Sequence, residues 1–389
     1  MSENASGYDA TNITVLEGRE AIRKRPGMYV GSTGIRGLHQ VLFEVIGRSV
    51  NDVLADGGGC VDVTLMRDGG VRVTDDGPGV PVEAAGDTSN ACLETLLTRT
   101  QPGAGPGDRH RVSWSVCGMG PCVTNALSRR LTAEVRRGQT LWIQEYSRGA
   151  AVAPPAATGP ATGSGTSIAF WPDADIFDTT DCSFGVLAKR FREVALLNRG
   201  LSISLTDERP PGGVRSVRFQ YPDGPRDFVA FLDAETGAQV APDIIAFERE
   251  DARMAGTVEV ALSWCGRRDE EVRSFANSVP TLEGGTHADG FRTGVTAAVN
   301  THARQRRLVK MSDPDLTTDR ISRGLTAVVS VKLDSPEYQG ATRARLGGGA
   351  TVHDCVEQAV REHLGTWLAQ HPEQAAAIIA RIVQETSRN

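Results

Sequence analysis

Apolar residues repeat at two different periods in the first third of the chain. In GIRGLHQVLFEVIGRSVNDVLADGGG, the positions Leu38, Val41, Leu42, Val45, Ser49 and Val53 fall close to i, i+3, i+4, i+7, and a triple glycine follows. That spacing predicts a helix with one face in a core and a defined stop. In VDVTLMRDGGVRVTDDGPGVP the period drops to two, with Val61, Val63 and Leu65 before the DGG turn and Val71 and Val73 after it. This predicts a hairpin with one buried face. A helix at about 89–99 precedes TQPGAGPGDRHR, a Gly/Pro-rich loop without periodicity. A short helix at CVTNALS follows, then strands at LTAEVRR, LWIQEY and TSIAFWP, the helix FGVLAKRFREVALLNRG and the strand LSISLTDE. Helices mixed with mostly antiparallel strands predict an α+β fold, a sheet with helices on one side.

The segment YPDGPRD, near 221–227, is the best boundary. Beyond it lie strands at VEVALSWC and AVVSVKLD and helices at THADGFRTGVTAAVNTHARQRR, TVHDCVEQAVREHLGTWLAQ and PEQAAAIIARIVQETS. The strand, helix, strand order predicts a βαβ crossover. We therefore expect a polar N-terminal arm over 1–17, a first domain over 18–222 and a second over 223–389. A length of 389 residues agrees with more than one core.

With 40% apolar and 23% charged residues, no apolar run of membrane-spanning length and a polar N-terminus, the expected location is the cytoplasm, with no membrane partner. The seven cysteines are scattered and form no CxxC pair, which argues against disulfides or a zinc site. A net charge of -6 argues against a surface built wholly for nucleic acid. The only lysines are Lys24, Lys189, Lys310 and Lys332, so phosphate contacts fall to arginines or backbone amides.

Four short pieces have residues suited to a ligand. Glu44 is a lone acid between Phe43 and Val45, with Arg48 one turn later; a glutamate at the edge of an amphipathic face explains it as well. Asp75-Asp76-Gly77-Pro78-Gly79 follows a strand, where a carboxylate can accept a hydrogen bond from an exocyclic amine and the glycines let backbone approach a ligand. Cys117-Gly118-Met119-Gly120 opens a helix, the place where amide groups and the helix dipole suit phosphate. Gly165-Thr166 starts a strand with a hydroxyl. Each piece alone is weak, because turns are rich in Asp and Gly.

Taken in order, the four pieces resemble the nucleotide fold shared by DNA gyrase, the Hsp90 chaperones, histidine kinases and MutL. The segments YDATNITVLEGREAIRKRPGMYVGSTGIRGLH, VRVTDDGPGVP, GTSIAFWPDADIF, FANSVPTLEGGTHADGF and GLTAVVSVKL resemble the B subunit of bacterial DNA gyrase and its topoisomerase IV equivalent, over essentially the whole chain. The resemblance implies a GHKL-type ATPase sandwich followed by an S5-like βαβ transducer domain. It implies ATP as ligand, a homodimer gate closing over DNA, and a gyrase A-like partner or gyrase itself. The metal-binding TOPRIM cleavage domain is expected to be absent.

Carried over by position, Tyr8 and Ile13 match the arm that reaches the neighbouring subunit, Glu44 the general base, and Asp75 the adenine-reading aspartate. Gly77 and Gly79 match the same pocket, Gly118 and Gly120 the phosphate loop, Thr166 the threonine beside adenine, and Arg137 the arginine at the mouth where aminocoumarins bind. Several positions depart from the family. Gly47-Arg48 stands where the family has Asp-Asn, whose asparagine holds magnesium. Gln40 replaces a histidine; Trp114, Ser115 and Cys117 replace the Gly-Gly and His of the phosphate loop; and the lid lysine is missing. Pro78 and Asp52 replace an arginine–glutamate pair, and Ala341-Thr342-Arg343 replaces the Gln-Thr-Lys phosphate contact of the transducer.

Arg48 sits four residues after Glu44, so the two can pair, at about 0.3–0.5 kcal/mol if exposed. Either Arg48 supplies part of the magnesium charge or it clamps Glu44 and lowers its basicity. Both readings predict a poor ATPase, since losing about 4 kcal/mol of metal stabilisation costs about a thousandfold in rate. A tolerated surface substitution, with magnesium held elsewhere, is the third reading. Three functions stay open: a nucleotide-binding module with weak or no hydrolysis, a working ATP-hydrolysing topoisomerase subunit, and a non-enzymatic gyrase-associated or aminocoumarin-resistance protein. Arg292, Arg304, Arg306 and Arg307 are candidates for DNA contact, with a solvated arginine-rich face as the alternative.

Overall fold

A computed structural model of the chain describes residues 18–82, 92–100, 111–114, 118–234, 243–265, 269–310, 312–340 and 342–384. Tyr8, Ile13, Cys117 and Ala341, and most of the Gly/Pro-rich loop, lie outside the described residues.

The short helices α1 (Gly18–Lys24) and α2 (Gly27–Val30) lead into α3 (Ile35–Ala55). In α3 the predicted apolar face is fully buried: Leu38, Val41, Leu42, Val45 and Val53 are at most 1% exposed. The hairpin of β1 (Gly59–Leu65) and β2 (Val71–Asp75) forms in the predicted register, with Val63 opposite Val73. Then come α4 (Leu93–Thr98), α5 (Cys122–Ala126), β3 (Ser128–Arg137), β4 (Thr140–Ser147), β5 (Ala150–Ala151), β6 (Ala156–Pro160) and β7 (Gly165–Pro172). The helix α6 (Phe184–Leu197) and strands β8 (Leu201–Asp207) and β9 (Arg215–Gln220) complete the unit.

Among the described residues these strands make one nine-stranded sheet in the order β5-β4-β3-β7-β2-β1-β8-β9, with β6 on β4. All its pairings are antiparallel except β1 with β8. Residues of α3, α5, α6 and the central strands share one apolar core. This is the α+β layering expected from the sequence.

The second unit contains α7 (Pro225–Ala234), β10 (Ile245–Asp251), β11 (Gly256–Trp264), β12 (Glu271–Ala276), β13 (Val279–Pro280), α8 (Thr286–Gln305), α9 (Thr318–Ile321) and β14 (Leu325–Leu333). The strands β15 (Tyr338–Gln339) and β16 (Arg345–Leu346) pair with each other, and α10 (Ala350–Gln370) and α11 (Pro372–Gln384) end the described chain. The main sheet runs β10-β11-β14-β12-β13. A βαβ crossover is present, but its strands differ from those expected. β11, which holds VEVALSW, is antiparallel to β14, whereas β12 runs parallel to β14 with α8 between them in the chain. The sequence EVRSFA of β12 mixes charges with few apolar positions, so it lacks an alternating signature. Residues from both units share a further cluster: Leu196 and Leu197 of α6 meet Phe228, Val229 and Leu232 of α7 and Phe275 of β12.

At the end of β8, Asp207 is 1% exposed and takes Arg209 at 2.8 Å and Arg215 at 2.7 Å. The hydrogen bond from Arg209, joined by those from Arg215, holds its carboxyl far below the ordinary value of 3.8, against the opposing effect of burial. A depressed folded-state value adds stability that is complete above the unfolded pKa and lost as pH falls below it. Asp207→Asn is expected to cost about 2 kcal/mol at neutral pH. Urea midpoints should drop as pH goes from about 5 toward 2, with a shallower drop in the variant.

Candidate functional site

The centre of the site is the Asp75 carboxylate, at the end of β2 and 3% exposed. Its Oδ1 accepts the backbone N–H of Thr166 at 3.0 Å and of Gly77 at 3.2 Å, and the Ser49 hydroxyl of α3 also bonds to the carboxylate. Burial pushes its pKa up, and these donors oppose that rise. A carboxylate has about four acceptor positions, so three donors leave room for one more. The surrounding backbone is close-set: a Cβ on Gly165, at φ 136°, would lie 2.1 Å from the Asp75 carbonyl, and one on Gly79, at φ 75°, would lie 2.7 Å from the Arg136 carbonyl. Thr166 Oγ1 accepts the Val80 N–H at 3.1 Å, so its hydroxyl proton is free to point elsewhere. Arg137 Nη1 donates to the Pro78 carbonyl at 3.2 Å and the Gly79 carbonyl at 2.5 Å, while Arg136 reaches the Asp75 and Ser164 carbonyls. The structure thus brings Asp75, Gly77, Pro78, Gly79, Arg137 and Thr166 together where β2, β3 and β7 adjoin.

Glu44 is 7% exposed on α3, and its Oε2 accepts the Gly120 N–H at 2.8 Å. This contact changes the expectation for the phosphate loop. Gly118 and Gly120 do take left-handed conformations before α5, at φ 58° and 84°, but the Gly120 amide is turned to Glu44. Gln40, one turn before Glu44, has a buried Oε1 without a hydrogen-bond partner among the described residues.

Arg48 does not pair with Glu44. Its Nε donates to Asp52 Oδ2 at 2.7 Å, one turn in the other direction, and the two side chains are 35% and 17% exposed. Asp52 offers a carboxylate to Arg48 at the same i, i+4 spacing as Glu44. Asp52, expected to lack the partner that Pro78 does not supply, is therefore paired. Next to it, Asn51 grips Val112 by two hydrogen bonds, Asn51 Nδ2 to the Val112 carbonyl at 3.2 Å and the Val112 N–H to Asn51 Oδ1 at 2.8 Å. This fixes the segment that carries Trp114. The indole packs on Phe43 and Phe191, at 5.7 and 5.8 Å between ring centres, and lies against Gly47, where a Cβ would be 3.2 Å from it. Gly47 and Trp114 are thus one steric unit.

The second unit meets this segment directly. The Ser113 N–H donates to the Asn277 carbonyl at 3.2 Å, and Arg190 of α6 donates to the carbonyls of Ser113 at 3.5 Å and Ser278 at 3.1 Å with its guanidinium over Trp114. Arg343 takes a left-handed conformation (φ 54°) and stacks on Tyr338. Beside it, Arg345 is tied to Asp289 and to the Glu283 carbonyl. Two arginines expected to face DNA are engaged internally: Arg292 in a bidentate pair with Glu270, and Arg304 with Asp315. Arg306 and Arg307 are exposed.

The donor set around Asp75 fits a ligand with an exocyclic amine. Near Glu44, the Arg48 guanidinium has no lone pair to offer a metal. Among the described residues, the one trio with metal-type spacing is His353, Asp354 and Glu357 on α10, outside this site. Sequence reasoning missed Ser49, Asn51 and Arg136. Asn51 and Ser49 do lie on the same helix as Glu44, but their partners Val112 and Asp75 come from other segments.

Residues 224–389 match the family model described as DNA gyrase B. The chain is 43% identical to the DNA gyrase B protein of Streptomyces coelicolor over 98% of its own length and 58% of that protein, and 36% identical to that of Mycobacterium tuberculosis over 97% and 59%. It therefore spans a little under three fifths of these relatives. The fold matches the 43K ATPase domain of Thermus thermophilus gyrase B, solved with an aminocoumarin, at a TM-score of 0.82 and 29% identity, over 96% of this chain and 97% of that one. It matches the ATP-binding domain of Francisella tularensis topoisomerase IV, solved with a small-molecule inhibitor, at 0.75 and 26%, over 96% and 99%.

The Gly47 contact predicts that Gly47→Asp alone lowers stability by about 1–3 kcal/mol through overpacking against the indole. In a thermal-melt double-mutant cycle, Trp114→Gly is expected to relieve part of that loss.

Proposed function

The chain belongs to the DNA gyrase B family, and on that premise we propose that it is an ATP-binding, dimer-forming module with an intact adenine end and an altered phosphate end. The observation that carries this reading is the buried Asp75 carboxylate, with an acceptor position to spare between glycines that exclude any Cβ. Asp75 would accept the amine of adenine, and Thr166 would donate its hydroxyl beside it. Gly77 and Gly79 would let the base approach, and Arg137 would shape the mouth. The amides near Gly118 would meet phosphate oxygens.

Hydrolysis is where the proposal departs from an ordinary relative. Glu44 is the carboxylate placed to take a proton from an attacking water, and its Oε2 already accepts the Gly120 N–H at 2.8 Å. Magnesium, where a site holds it, supplies charge stabilisation to the departing phosphate. Position 48 offers a cation committed to Asp52 instead of a ligand atom. The expected outcome is tight nucleotide binding with slow or no turnover, in a dimer associated with gyrase or with a gyrase A-like subunit.

A second reading has a specific observation behind it. Asp75, Thr166 and Arg137 all sit at the magnesium-independent end, so an aminocoumarin would find its polar contacts even where ATP is not hydrolysed. The protein would then protect gyrase by taking up the drug.

Calorimetry with a non-hydrolysable ATP analogue is expected to show binding that Asp75→Asn weakens at least tenfold. Steady-state turnover should lie about a thousandfold below that of a conventional gyrase B ATPase domain assayed alongside. Turnover equal to that domain would overturn the altered-site reading, and absence of any analogue binding would overturn the nucleotide reading itself.

A further inference from the structure

Away from Asp75 and Glu44, a cavity of about 960 Å³ opens between the two units, bounded by α6, α7, β12 and the 280–284 segment. Its volume is that of a site for a small organic molecule. The floor is apolar: Leu196, Phe228, Leu232 and Phe275 line it, and Leu282, 82% exposed, stands at its edge. Five cations reach it, but three are already neutralised. Arg273 pairs with Glu271, Arg292 with Glu270 and Arg345 with Asp289.

The other two, Lys189 and Arg192 of α6, have no acidic partner among the described residues. The Arg192 guanidinium is held over Phe219 and Phe231, at 5.2 and 4.8 Å from the ring centres, so its charge is positioned in advance without being compensated. Of the acids on the lining, Glu193 is engaged by Arg190 and Asp289 by Arg345, and Glu283 is exposed on the 280–284 segment, away from α6 in the chain. An apolar floor beneath two uncompensated cations selects an anion with an apolar body.

We propose that this cavity binds a small amphipathic anion, an aromatic carboxylate, sulfonate or phosphate, with its charged group at Lys189 and Arg192 and its ring on Phe228 and Phe275. Such a ligand touches α6 beside Glu193, the partner of Arg190, which holds the carbonyls of Ser113 and Ser278. An occupant is therefore joined through one arginine to the segment leading into Trp114. This last link rests on the nucleotide reading above, whereas binding of the anion does not.

The test uses 8-anilinonaphthalene-1-sulfonate as probe on the whole chain, by fluorescence titration and calorimetry. One saturable site is expected, at least tenfold weaker in Lys189→Glu/Arg192→Glu and lost in Ala188→Trp, which fills the cavity, with melting temperatures of the variants checked alongside. Dansylamide, uncharged and of similar size, is expected to bind at least tenfold more weakly. An ATP analogue should leave the probe bound. Displacement of the probe by the analogue, or affinity unmoved in both variants, would overturn the proposal. Duplex DNA that displaces the probe from the unmodified chain, and whose own binding survives Ala188→Trp but not the charge reversal, would overturn it too, assigning these cations to a DNA surface. If the probe binds as expected but the analogue does not bind at all, the cavity assignment stands and the nucleotide reading falls.

Discussion

One carboxylate organises the first unit. Asp75 receives the amides of Thr166 and Gly77 and the hydroxyl of Ser49, so it joins β2, its following turn, β7 and α3 at one buried point. Left without donors, a buried carboxylate would be costly. The close approach of Gly165 and Gly79 is what brings those donors within reach. The atoms that hold this end of the unit together are therefore the ones the proposed ligand would meet.

The end around Glu44 follows a different logic. Its polar groups bond to one another: Gly120 with Glu44, Arg48 with Asp52, and Asn51 with Val112. Trp114 fills the space beside Gly47 with apolar contact. These contacts tie α3 to the segments around 112–114 and 120.

Much of this architecture was legible in the chain because its periods are clean. α3, the β1–β2 hairpin and α6 carry regular apolar spacing, and their buried faces follow it. β12 was not legible, since Glu271, Arg273 and Ser274 interrupt any alternation, and the crossover was assigned to the wrong first strand as a result. The partner of Arg48 was not legible either. Acids stand four residues away on both sides, at identical spacing, and Arg48 takes Asp52. The glycine at 47 and the indole at 114 each read as a loss, and their contact appears only once Asn51 has fixed the segment around Val112.

That contact also couples the two positions. A Cβ at 47 would press on the indole at 114, so neither position varies independently of the other. Because the indole is held between Phe43 and Phe191, a change at 47 is felt in the apolar core and cannot be absorbed at the surface of α3 alone.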